Sequence, residues 1–286
     1  MKHIYLLLIP FLLFFQSCEV INPDEDIPAF IKIDSIDFSS EYDEGTAKQA
    51  INDSWVYVNG DLIGAFEMPC EIPVLKSGPS TISIFPGVKL NGISGLRTIN
   101  PFFTIIEEDV DLVAMQTITL KPKSKYKDDI KFPWNSRGEE DFEEGGISID
   151  SIGNSSTKVI KSTTEVFEGT GSGHIKLDAG HQTFFGESTE YFVLPQSGAA
   201  VVMEINIKND VHFIIGMFAY LPGGTVVSND HLGVNPGDDW KKLYVNFTEA
   251  VSNYPTAIKY KVFFKASLGS EEEGNVYLDN IKIMHF

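Results

Sequence analysis

Histidine, cysteine and paired carboxylates are the residues of this chain with chemistry to offer, and their spacing decides what they can do. His174 and His181 bracket Asp178 in HIKLDAGHQ. Zinc needs three or four convergent ligands, whereas strand parity sends positions 174 and 181 to opposite faces, so no metal site is expected there. GTGSGH, residues 169–174, fits neither the G-x-G-x-x-G nor the G-x-S-x-G spacing, and no helical pattern follows it. It reads as a β-turn. Glycoside hydrolysis needs two carboxylates about 5–9.5 Å apart across a sugar. Acidic runs such as Glu143-Glu144 and Glu271-Glu272-Glu273 occur, but nothing singles out a pair. The sequence predicts a protein without catalysis of its own.

The remaining reactive group is the thiol of Cys18. Residues 4–15 form an apolar run behind Lys2 and His3, and Ser17-Cys18 closes it. A membrane-spanning helix needs about 20 apolar residues, so this run reads as a cleaved leader. A small residue followed by cysteine resembles the lipobox of bacterial lipoproteins, although Phe15 and Gln16 stand where that pattern has Leu and a small residue. The resemblance implies diacylglycerol thioether and acyl (palmitate) modification of Cys18. Each buried methylene contributes about 0.8 kcal/mol, so two or three chains anchor a protein stably. Residues 18–30, with Asp24-Glu25-Asp26, read as a solvated tether. The expected address is the outer membrane, with cell-surface exposure suggested by the acidic triplet. Cys70, in EMPCEIPV, is expected to be a small buried hydrophobe. Should Cys18 stay unmodified, a Cys18–Cys70 disulfide is the alternative.

Charge narrows the partners. The chain carries 22 Lys plus Arg against 40 Asp plus Glu, a net charge of −18, which argues against nucleic acid. The length suits two domains.

The elements that would position any site are strands. Short alternating runs broken by Gly, Pro, Asn and Asp fill the chain after residue 30, with no sustained helical stripe. Asn59-Gly60 between two apolar runs predicts a tight hairpin, and Ile82 and Ile84 share a face. Residues 31–120 resemble small PEGA-like modules, which implies an Ig-like spacer sandwich. Residues 121–138 hold Lys121, Lys123, Lys125, Lys127, Lys131 and Arg137 and read as a solvated basic linker.

In VVMEINIK, Val201, Met203, Ile205 and Ile207 alternate with Val202, Glu204, Asn206 and Lys208. In WKKLYVNF, Leu243, Val245 and Phe247 alternate with Lys242, Tyr244 and Asn246. In KYKVFFKA, Tyr260, Val262, Phe264 and Ala266 alternate with Lys259, Lys261, Phe263 and Lys265. A two-layer sandwich with a polar-aromatic outer sheet follows.

Phe142-Glu143, Ser172-Gly173, Trp240 and Leu278-Asp279-Asn280-Ile281 occur in the order seen in jelly-roll carbohydrate-binding modules, which residues 139–286 resemble. The resemblance implies a core Trp240 and a structural calcium ion held by Glu143 and Asp279, where the opening strand meets the closing one. It also implies sugar contacts on the outer sheet, for which parity nominates the rings of Tyr220 and Tyr244 with Glu204 and Asn206 as hydrogen-bond partners. The plain alternatives are that Asp279 caps the last strand and that these four are ordinary strand residues. The whole reads as an all-β chain, two β-sandwich modules with the second a jelly roll, tethered to a membrane and binding glycan. The alternative is an assembly lipoprotein whose jelly roll meets another envelope protein.

Overall fold

Alternating side chains become strands nearly everywhere the sequence predicts them in the computed structural model, which describes residues 26–286. The leader and Cys18 lie outside the described residues. The first ten strands are β1 (Ala29–Ile33), β2 (Asp37–Ser39), β3 (Asp53–Val58), β4 (Asp61–Glu67), β5 (Cys70–Val74), β6 (Gly78–Lys89), β7 (Arg97–Ile99), β8 (Ile106–Leu112), β9 (Thr117–Leu120) and β10 (Lys123–Lys125). One sheet has the order β5-β1-β9; the other runs β4-β3-β6-β7, with β8 also paired to β6. Ile31, Ile33, Ile72 and Val74 from the first sheet meet Val56, Val58, Ile82 and Ile84 from the second in one core, each buried side chain contributing about 1.5–3 kcal/mol. Asn59 and Gly60, at φ 52° and 85°, turn β3 into β4, as their side chains permit.

The second module comprises β11 (Ile149–Ser151), β12 (Ile160–Ser162), β13 (Ser172–Asp178), β14 (Thr183–Ser188), β15 (Val201–Asn209), β16 (Phe213–Tyr220), β17 (Val226–Val234), β18 (Gly237–Asn246), the short helix α1 (Thr248–Ser252), β19 (Lys259–Ser267) and β20 (Glu273–His285). They build a two-layer jelly roll from five-stranded sheets ordered β11-β14-β19-β16-β17 and β12-β13-β20-β15-β18. The inward sets Met203, Ile205 and Ile207, Leu243, Val245 and Phe247, and Tyr260, Val262 and Phe264 fill its core as the alternation predicts. The opening segment meets the closing strand through Glu140 and Ile281, whose backbones exchange hydrogen bonds of 2.8 and 2.9 Å.

The outer face of the sheet holding β15, β18 and β20 is covered by the first module. Val88, Phe102, Phe103 and Tyr126 pack on Val202, Tyr244 and Met284, and Asn91 N donates to Tyr244 O at 2.8 Å. Four expectations are corrected. The polar-aromatic sheet carrying Tyr244 is an interface between modules, not an open surface. The basic segment 121–138 is not a solvated connector, because β10 pairs in parallel with β2 and Tyr126 and Trp134 are completely buried. Trp240 is half-buried instead of core; its Nε1 donates to Glu165 Oε1 at 3.1 Å, at the edge of the same sheet. Cys70 is likewise half-buried, with Sγ 3.7 Å from Ser54 Oγ.

Candidate functional site

Strand register assembles one open face, on the sheet that the first module does not cover. β14, β19, β16 and β17 align Glu187, Phe263, Gly216 and Asp230 in one row and Phe185, Lys265, Ile214 and Gly233 in the next. Two further rows place Lys261 beside Phe218 and Ser228, and Lys259 beside Tyr220 and Val226. The opposite parity of the same strands supplies the jelly-roll core, so these side chains point outward.

Gly216 sets the floor. A Cβ there would stand 2.1 Å from the Phe263 ring, and its absence lets that ring lie flat against the strand. Phe218 tilts over Phe263 at a centroid distance of 4.6 Å, and Phe185 meets Phe263 edge-on at 5.7 Å. At the far end Tyr191, 47% exposed, stands edge-on to Tyr220 at 5.1 Å. A diagonal of half-exposed rings, Phe185, Phe218, Tyr220 and Tyr191, therefore crosses the sheet.

Charges border the rings. Lys265 Nζ lies 2.6 Å from Asp230 and rides over Phe263 at 4.7 Å; Lys261 Nζ lies 2.6 Å from Glu187. Burial, followed by the Glu187 charge and the Tyr191 hydroxyl, pushes Tyr220 up to about 12, so its hydroxyl stays a proton donor at neutral pH. A groove of about 310 Å³, lined by Asn154, Thr183, Phe185, His212, Ile214 and Lys265, opens at the Phe185 end. Rings for C–H patches beside ammonium, carboxylate and amide groups for hydroxyls make up the composition of a small-ligand site.

Of the four residues nominated for sugar contact, Tyr220 alone lies on this face. Tyr244 is 1% exposed, and Glu204 and Asn206 are 0% exposed beneath the first module. A ligand has no access to them. The Tyr244 hydroxyl donates to Gln49 Oε1 and accepts from Ala50 N, both at 2.9 Å. Glu204 accepts from Tyr126 at 3.1 Å and faces Lys242 Nζ at 2.7 Å and Lys282 Nζ at 4.0 Å. Burial alone would push Glu204 up, but the Lys242 and Lys282 ammoniums outweigh it and hold it below the usual glutamate range. The residues sequence reasoning missed are Phe185, Phe218, Tyr191 and Lys259. Their signal was partly visible, since the KYKVFFKA alternation had already set Lys259, Lys261, Phe263 and Lys265 on one side.

Glu143 and Asp279 do not fit a calcium ion. Asp279 Oδ2 accepts from Phe167 N and Glu168 N at 3.2 Å, and its Oδ1 from Asn280 N at 3.0 Å. Glu143 Oε1 accepts from Thr170 N at 2.6 Å and Gly171 N at 2.9 Å, while Oε2 takes the Thr170 hydroxyl at 2.5 Å. The oxygens that would ligate a cation face the positive ends of N–H dipoles. Among the described residues no three His, Cys, Asp or Glu side chains converge as a metal site. A second cavity, of about 360 Å³, sits beside them at the junction of the modules, with Glu139, Asp141, Glu168 and Arg137 in its wall.

The structure thus defines a jelly roll with one sheet closed by its neighbour module and one aromatic, lysine-studded sheet left open. No protein-family model matches the chain, and no curated protein does so significantly. Among solved structures it is similar to a family 22 carbohydrate-binding module of Clostridium thermocellum Xyn10B, at 14% identity over 51% of this chain and 92% of that one, TM-score 0.38. It is also similar to a carbohydrate-binding module of the β-sandwich superfamily, at 15% identity over 91% and 99%, TM-score 0.39. The enzymatically active domain of tailspike protein 4 of bacteriophage CBA120 aligns at 13% identity over 53% of this chain, TM-score 0.42, and the match spans 21% of the tailspike chain.

Proposed function

We propose that this chain is a non-catalytic, lipid-anchored envelope protein that binds glycan on the open face of its jelly roll. The observation that carries the reading is the diagonal of half-exposed rings, Phe185, Phe218, Tyr220 and Tyr191, bordered by paired lysines and carboxylates. Sugars offer C–H patches to rings and hydroxyls to charged groups, and the face supplies both. The first module closes the opposite sheet and leaves this one for the ligand. Acylation of Cys18 would fix the protein to the outer membrane, facing either the periplasm or the cell surface.

The test is a glycan array with the chain lacking its leader. Specific retention that Phe218→Ala and Tyr220→Ala each abolish, with melting temperatures kept, supports the reading. Retention that survives both changes overturns it. Intact-mass measurement of protein from its native host tests the anchor: a mass lacking acyl chains on Cys18 removes it. A second reading, an assembly protein whose jelly roll docks another envelope protein, draws on exposed Val193 and Val226 beside Tyr191 and Tyr220. It predicts no glycan retention and a stoichiometric co-purifying protein.

A further inference from the structure

Three lysines leave β19 on the open side, and they are not equivalent. Lys261 is neutralised by Glu187 and Lys265 by Asp230, each at 2.6 Å. Lys259 makes no ion pair and no hydrogen bond among the described residues. Its Nζ stands 3.5 Å from the centroid of the Tyr191 ring and 5.5 Å from that of Tyr220, the two rings meeting edge-on. The Lys259 ammonium is thus held by two rings and not by a carboxylate. The rings attract the cation but leave its N–H donors free to point at a ligand.

We infer that Tyr191, Lys259 and Tyr220 form a subsite for the carboxylate of an acidic sugar, making the ligand class a uronate-containing glycan. The inference rests on the reading of this face as a glycan site. A pyranose ring lying against Tyr191 or Tyr220 brings a C5 carboxylate to its edge, where Lys259 Nζ makes a charge-assisted hydrogen bond. The Tyr220 ring completes the platform from the neighbouring strand, paired in register with Lys259. Lys261, paired with Glu187, also stands over Tyr191 at 4.7 Å and adds no uncompensated charge. A neutral sugar would gain the stacking alone. The acidic one gains an ion pair in a partly desolvated place, where such hydrogen bonds are about twice as strong as neutral ones.

Isothermal titration of the chain lacking its leader against polygalacturonate, alginate and glucuronoxylan, each beside its methyl-esterified form and beside neutral galactan, tests this. The expected result is at least one acidic polymer bound about tenfold or more tighter than its ester, as a hydrogen bond to a charged group implies. The preference should weaken with added salt. Lys259→Gln should erase it, Lys259→Arg should keep most of it, and Lys76→Gln, in the first module, serves as the control. Equal affinity for acid and ester, or an unaltered preference in Lys259→Gln with its melting temperature kept, overturns the inference while leaving glycan binding standing. Failure to bind any polymer overturns both.

Discussion

Glu143 and Asp279 hold neighbouring stretches of one loop, Asp279 its middle and Glu143 its end before β13. Asp279 takes the amides of Phe167 and Glu168, and Glu143 takes those of Thr170 and Gly171, so residues from the opening and closing stretches of the jelly roll clamp a segment between β12 and β13. The backbone N–H groups stand against these carboxylates where a cation would otherwise stand. Chelation with EDTA should therefore leave the melting temperature unchanged, whereas Glu143→Ala, which strips the partly solvated Thr170 and Gly171 amides of their acceptor, should cost about 0.5–1.5 kcal/mol by chemical denaturation. A chelator-sensitive melting point would show that a metal is part of the clamp.

Asp279 also gives the stability curve a sign. Burial pushes it up to about 7 from an ordinary value of 3.8, against three N–H donors that favour its ionised form. The folded state then binds a proton more tightly than the unfolded one. Its contribution is fully present below about pH 4 and is lost as pH rises through 7, with a slope of at most about 1.4 kcal/mol per pH unit. Denaturation at pH 5 and pH 8 should show a smaller fall for Asp279→Asn than for the wild-type chain. Parallel falls would locate the titration elsewhere.

The seam between modules predicts large effects far from the open face. Glu204→Ala leaves Lys242 and Lys282, 4% and 0% exposed at their side chains, without their shared carboxylate, at a cost of about 3–5 kcal/mol. Tyr244→Phe removes the acceptor of Ala50 N and the donor to Gln49, costing about 1–3 kcal/mol. Glycan retention by the folded fraction should be unchanged in Tyr244→Phe, since that ring lies on the closed sheet. Lost retention in a folded variant would return Tyr244 to the binding site.

These outcomes mark where sequence legibility stopped. Parity placed Met203, Leu243 and Phe264 in the core correctly, because a strand alternates whatever covers it. Parity could not say which outward set is outward to solvent and which is outward to another module. Tyr244 and Glu204 read like surface residues, and only the packing of Phe103 and Tyr126 on that sheet makes them interior. The same blindness hid Phe185 and Phe218. Each sits beside an inward neighbour of equal hydrophobicity, Phe184 and Met217, so the run looks buried on both sides. The carboxylates in the last strand and near Phe142 were legible as a junction, while their partners, backbone amides of a loop, have no side-chain signature.

The open face has a glycine whose role is specific enough to break. At Gly216 a methyl group would lie 2.1 Å from the Phe263 ring and 2.5 Å from Asn229 O. The ring can swing away, but the Asn229 carbonyl belongs to the neighbouring strand and can move only by loosening the β16–β17 pairing. Gly216→Ala should therefore lift Phe263, tilt Phe218 with it, and cost about 1–3 kcal/mol as an overpacked site does. Because the ring diagonal passes through Phe218, glycan affinity should fall by more than this stability loss explains when measured well below the melting temperature. Near-ultraviolet circular dichroism should report the reoriented rings. A variant that loses stability yet binds as the wild type would mean that the Phe185–Phe218 end of the face takes no part in recognition.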